Sequence, residues 1–160
     1  MYPSNDRAAA LEMLDAIFVG VDCRDWVRVQ SAFAEQVLLD YGEPETLSPA
    51  QIVARWKPLM ESLDRTQHTL SHQFVSTRGD MARCGSTFRA IHFLKDAPRG
   101  STWTLEGRYE HELARSQGRW RVRAIKMIPG ASLGNAAIFA DARAVQRRTP
   151  SRARLVCTVG

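Results

Sequence analysis

The chemistry this sequence can offer is carried by histidine and aspartate. Its four histidines are His68, His72, His92 and His111, and Asp22, Asp25 and Asp40 lie upstream of them. Imidazole titrates near neutral pH, so small shifts make it either a base or an acid. A carboxylate beside it fixes its tautomer and stabilises its charged form, the logic of the serine-protease triad without the serine. Asp25 stands just before Trp26 and reads as a helix cap. Asp40 alternates with Leu39 and Tyr41, which turns it outward. Asp22 follows an apolar helix and has no capping role, so it is the carboxylate expected to serve a histidine. Metal ligation is the weaker reading. Four strand residues separate His68 from His72 by about 13 Å, too far to share an ion whose bonds to nitrogen are about 2 Å. A set of His68, His92 and His111 on neighbouring strands is geometrically possible, but no spacing asks for it, and no metal is expected.

The elements that must position these groups fall into two halves. From Asn5, apolar residues at 8, 11, 14, 16, 17, 18 and 21 follow helical spacing. A short helix opens at Asp25, and Val37–Tyr41 reads as a strand bounded by Gly42 and Pro44. Ser48-Pro49-Ala50-Gln51 has the form of a capping box with proline in the first turn. The helix it starts carries Ile52, Val53, Trp56, Leu59, Met60 and Leu63, and Pro58 is expected to bend or interrupt it. Beyond Thr66 the pattern is β. Residues 66–78 and 81–94 flank the tight-turn pair Gly79-Asp80, and 102–115 and 119–128 flank Ser116-Gln117-Gly118. Pro129-Gly130 is expected to end the sheet, and Leu133–Val145 to form a last helix. This order predicts an α+β fold with helices gathered on one face of a curved antiparallel sheet. Alternation places His68, Leu70, His72 and Phe74 on one face of the first long strand. It groups Cys84, Ser86, Phe88, Ala90 and His92 on the second, and Trp103, Leu105, Tyr109, His111 and Leu113 on the third. All four histidines thus share faces with apolar residues, as in a polar-dotted cavity.

Length and composition set the frame. One hundred and sixty residues make one domain, and 44% hydrophobic with 24% charged residues is ordinary for a globular chain. No apolar run reaches the length of a membrane span, and the first residues lack a signal-peptide pattern, so no membrane and a cytoplasmic location are expected. Cys23, Cys84 and Cys157 form no CxxC pair. The net charge of +5 is uneven: residues 141–160 carry five arginines against Asp141 alone, while the rest of the chain is close to neutral. A body without a basic stripe argues against a nucleic-acid partner. The domain is placed at 1–147 and a basic tail at 148–160.

Several segments resemble the scytalone dehydratase family, grouped with the SnoaL-like polyketide cyclases in the nuclear transport factor 2-like superfamily. They are Asp22-Cys23-Arg24-Asp25-Trp26, Asp40-Tyr41, Arg65-Thr66-Gln67-His68, Phe88-Arg89-Ala90-Ile91-His92, Gly107-Arg108-Tyr109, Gly118-Arg119-Trp120 and Ile138-Phe139-Ala140-Asp141. The resemblance implies a cone-shaped α+β barrel, its curved sheet packed on N-terminal helices around a deep pocket. It also implies a homo-oligomer, dimer or trimer, acting without a cofactor on a small hydrophobic substrate. Carried over by residue, it makes Asp22, His68, His92 and Tyr41 catalytic. Phe88, Trp103, Tyr109 and His111 are expected to contact substrate. Three positions depart from the family: Val21 stands where a tyrosine is expected, and His111 and Leu113 where a serine and an asparagine are. The acid–base set is retained while groups that recognise the family's substrate are changed.

The function this implies is a dehydratase acting on a cyclic, steroid-like or polyketide-like hydroxy-ketone. His68 or His92 would take the proton next to the carbonyl and return one to the leaving hydroxyl. Asp22 is expected to orient His92, and Tyr41 to hydrogen-bond the carbonyl. The alternatives are an isomerase or cyclase on a similar substrate, and a ligand-binding or dimerisation module of the same fold.

Overall fold

The computed structural model describes residues 3–148. Helix α1 (Pro3–Cys23) leads into α2 (Trp26–Ser31), β1 (Phe33–Asp40), β2 (Pro44–Leu47) and α3 (Pro49–Glu61). Four long strands follow, β3 (Arg65–Arg78), β4 (Met81–Phe93), β5 (Thr102–Ser116) and β6 (Arg119–Gly134), before α4 (Ile138–Arg148). They form one six-stranded sheet in the order β2-β1-β6-β5-β4-β3. All neighbours are antiparallel except β1, which runs parallel to β6. The sheet curves without closing, so β2 and β3 remain its edges. The expected α+β architecture is the one found. The tail expected from residue 148 lies outside the described residues, apart from Arg148, which ends α4.

Local chemistry explains the elements. Asp25 caps α2 by accepting from the Arg28 amide at 3.0 Å. Ser48 and Gln51 form the reciprocal capping box of α3. Along α1, Ala10, Leu14, Ile17, Phe18 and Val21 make one buried stripe against the sheet. The concave core is completed by Val37, Leu39, Ile52, Trp56, Phe88, Leu113, Val122 and Ile125. Leu63 and Leu94 pack with Ile138 and Ala142 of α4 in a second cluster.

Three boundaries differ from the sequence reading. Pro58 does not interrupt α3, which continues to Glu61. Pro58 and Ala54 are both exposed, so the carbonyl that proline leaves without a donor lies on the outer face of the helix. The strand β6 runs through Pro129-Gly130 to Gly134, because β5 still offers partners as far back as Trp103. A register shift between Leu105 and Gly107 places Pro129 opposite Gly107. The last helix therefore begins at Ile138 rather than Leu133. Finally, β2 pairs with β1 beyond the Gly42–Pro44 break that bounded the expected strand.

Candidate active site

The curved sheet together with α1, α3 and α4 encloses a cavity of about 400 Å³, a size suited to a small organic ligand. Its walls are mainly apolar: Phe18 and Val21 from α1, Trp56, Leu59 and Met60 from α3, and Phe88, Trp103 and Leu105 from the sheet. Phe139 of α4 stands edge-on to His92 and Trp103 at 5.4 and 6.1 Å. Six polar or charged side chains line it as well: His68, His92 and Tyr109 from the sheet, Tyr41 and Glu43 from the turn after β1, and Arg55 from α3.

Asp22 and His68 form a close ion-pair contact at the edge of the cavity. Asp22 lies in the last turn of α1, while His68 lies near the start of β3. The imidazole Nδ1 stands 2.7 Å from Asp22 Oδ1, and both side chains are largely buried. A carboxylate only accepts, so Nδ1 carries a proton, and in the neutral ring Nε2 keeps its lone pair. Two further donors hold the carboxylate: Thr66 Oγ1 donates to Oδ1 at 2.9 Å, and the His68 amide to Oδ2 at 2.7 Å. This corrects the expected pairing of Asp22 with His92. Chain order could not distinguish the two, because both histidines alternate onto the same concave face. Only the docking of α1 beside β3 decides it.

His92 has a different partner. Its Nδ1 lies 3.3 Å from the Trp103 carbonyl, which again makes Nδ1 the donor and leaves Nε2 bare. The ring stacks on Trp103 at 4.8 Å and stands across from His68 at 6.2 Å. Burial, with His68 beside it, pushes its pKa down to about 4. His92 is therefore neutral at pH 7 and presents an acceptor.

The two tyrosines are neutral donors. Tyr109 is buried, stacked on Phe88 at 4.3 Å. Tyr41 stacks on Trp56 at 6.2 Å with 41% of the residue exposed, yet its hydroxyl is drawn into the cavity beside that of Tyr109. Burial raises both phenols above their ordinary value, and for Tyr41 the neighbouring Tyr109 raises it further.

Of the expected site residues, Asp22, His68, His92, Tyr41, Phe88, Trp103 and Tyr109 come together here. His111 does not. It is 1% exposed, behind Phe18 and Tyr109, with neither ring nitrogen hydrogen-bonded, and burial takes its pKa to about 4. His72 is also elsewhere. A bulge between Ser71 and Phe74 gives His72 a φ of 50° and turns it and Phe74 outward, so alternation fails there. Asp40 faces Lys126 at 3.4 Å, outside the cavity. Among the described residues no group of three or more His, Cys, Asp or Glu is placed to hold a metal ion. No helix among them is long and apolar enough to cross a membrane.

Thr66, Phe18 and Phe139 were not singled out from sequence. Thr66 could have been, since it precedes His68 by two and so shares its face. Phe18 lies one helical turn before Asp22.

Comparison with known proteins gives the same architecture. The SnoaL-like domain matches residues 3–126. No curated protein sequence matches the chain. Among solved structures, the Kfla4162 protein of Kribbella flavida is 20% identical, covering 87% of this chain and 97% of its own with a TM-score of 0.76. A protein assigned as a scytalone dehydratase in Novosphingobium aromaticivorans is 15% identical, with 80% and 86% coverage and a TM-score of 0.71. The LinA-type3 hexachlorocyclohexane dehydrochlorinase of Novosphingobium barchaimii is also 15% identical, with 82% and 91% coverage and a TM-score of 0.71. Likeness at this identity speaks for the fold alone.

Proposed function

The chain belongs to the SnoaL-like domain family, and from that premise we propose that its cavity is the active site of a cofactor-independent dehydratase. Its substrate is a hydrophobic cyclic, steroid-like or polyketide-like hydroxy-ketone. One observation carries this reading: His68, held at Nδ1 by Asp22, lines a mainly apolar cavity. Excluding water strengthens the attraction between Asp22 and the imidazolium that forms when the base takes a proton. Two names among the structural neighbours, a dehydratase and a dehydrochlorinase, belong to eliminations and support the same class.

The steps follow from the protonation states. His68 Nε2 removes the proton next to the carbonyl, and Asp22 stabilises the imidazolium that forms. Tyr41 and Tyr109 donate to the carbonyl oxygen as enolate charge builds. The bare Nε2 of His92 accepts the hydrogen bond of the substrate hydroxyl and holds it near His68. The carbon–oxygen bond breaks as His68 returns its proton to that hydroxyl, releasing water and a conjugated ketone. Base and enolate stabilisation each contribute about 10²–10⁴-fold in enzymes of this kind. Isomerisation would use the same proton shuttle, but the second acceptor, His92, suits a leaving hydroxyl better than a shifting double bond.

The test is a panel of cyclic and polyketide-like β-hydroxy ketones incubated with purified protein. Formation of the conjugated product is read by its ultraviolet absorbance. Ligands that bind with no product after long incubation would overturn the reading in favour of a carrier.

A further inference from the structure

We propose that Arg24 is a positioning residue that locks the Asp22–His68 pair in the tautomer with its base facing the cavity. The inference rests on the reading of that pair as the base. It comes from the hydrogen bonds behind Asp22. Arg24 follows α1 directly, with a φ of 62° that L side chains rarely adopt. This conformation brings its guanidinium back under the end of the helix. Nη1 donates to the Val21 carbonyl at 2.6 Å and to Thr66 Oγ1 at 2.7 Å, and Nη2 donates to the Met60 carbonyl at 2.7 Å. One planar group thus ties together the end of α1, which carries Asp22, the last turn of α3, and the start of β3, which carries His68.

The contact with Thr66 is directional. A threonine hydroxyl has one proton. Because Arg24 donates to Oγ1, that proton is free only to be given away, and it goes to Asp22 Oδ1 at 2.9 Å. With the His68 amide on Oδ2, every donor around the carboxylate is fixed, and the imidazole Nδ1–H fills the remaining place. Without the guanidinium, Thr66 can rotate to accept rather than donate, and Asp22 loses a constraint on its plane. Arg24 is not itself among the residues that line the cavity and meets Val21 and Met60 at their backbone carbonyls, so a small effect on substrate binding is expected.

The histidine tautomers can be read directly from ring-nitrogen chemical shifts in ¹⁵N-labelled protein, with His68 assigned through a His68→Gln sample. Wild-type protein should show His68 protonated at Nδ1 alone. Arg24→Gly removes the guanidinium while suiting the positive φ, so the backbone strain is relieved rather than increased. We expect mixed His68 tautomers in this variant and a fall in kcat of about 10- to 100-fold at unchanged KM, the scale on which groups behind a histidine ligand act. Thr66→Val, which keeps both carbonyl bonds of Arg24, should mix the tautomers as well, and Thr66→Ser should restore the wild-type spectrum. A pure Nδ1–H tautomer in folded Arg24→Gly would overturn the proposal, and so would one in Thr66→Val if the glycine variant does not fold. The spectra need no substrate. Failure of every hydroxy-ketone to react would therefore sink the dehydratase reading while the tautomer result is judged separately.

Discussion

Replacing Asp22 by asparagine changes one atom type at the centre of the site and leaves the shape nearly intact. The wild-type carboxylate accepts three bonds, from His68 Nδ1, Thr66 Oγ1 and the His68 amide. An amide accepts through its oxygen only. If that oxygen keeps the His68 backbone N–H, the amide nitrogen faces Nδ1 and donates to it. The imidazole then moves its proton to Nε2, and the base disappears from the cavity. If the oxygen turns to Nδ1 instead, the backbone N–H loses its partner and the imidazolium loses its counter-charge. Either route removes general-base catalysis, about 10²–10⁴-fold in kcat, which corresponds to about 2.7–5.5 kcal/mol of barrier. Substrate binding depends on the apolar walls, so KM should change little. The assay is steady-state formation of conjugated ketone by wild-type and Asp22→Asn protein at saturating substrate. A variant within about threefold of the wild-type kcat, with His68 still in place, would refute the assignment of Asp22 and His68 as the base.

Two other predictions follow from the same geometry. Tyr41→Phe and Tyr109→Phe should each lower kcat, and the double variant by about 10²-fold or more, as expected when oxyanion donors are removed; an unchanged double variant would take the phenols out of the mechanism. His92 and His111 are neutral when folded, with pKa values taken down to about 4 from the ordinary 6.5. Between those values the unfolded chain binds more protons, so stability present above about pH 6.5 is lost as pH falls towards 4, up to roughly 3 kcal/mol per histidine. Thermal melts across that range should show Tm falling with acid, and a His111→Leu variant should show a shallower fall. Equal slopes would mean that His111 does not titrate on unfolding.

Much of this protein is legible from local pattern. The capping residues Asp25 and Ser48, the apolar stripe of α1 and the two hairpin turns are decided by neighbours in sequence, because capping and side-chain alternation act over a few residues. The same alternation placed His68, His92, Trp103, Phe88 and Tyr109 on one concave face. It failed at His72, where one bulge turned the strand over, and it carried β6 only to Ile128, because the length of a strand depends on what its partner offers. His111 was read correctly as interior but incorrectly as a wall residue, since alternation gives a face and not a depth.

The sequence by itself determined that histidines and one unoccupied aspartate would meet inside an α+β fold, because residue types and their periodicity are local properties. Tertiary structure alone decided which histidine Asp22 holds. The end of α1 lies against the start of β3, so Asp22 reaches His68 and Thr66, forty-odd residues away in the chain. His92, one strand further in, is left to the Trp103 carbonyl. That choice gives the two rings different partners, a carboxylate for His68 and a backbone carbonyl for His92, and leaves His92 a buried neutral acceptor. Distances across a sheet and the loss of water around a ring arise only when the chain has folded.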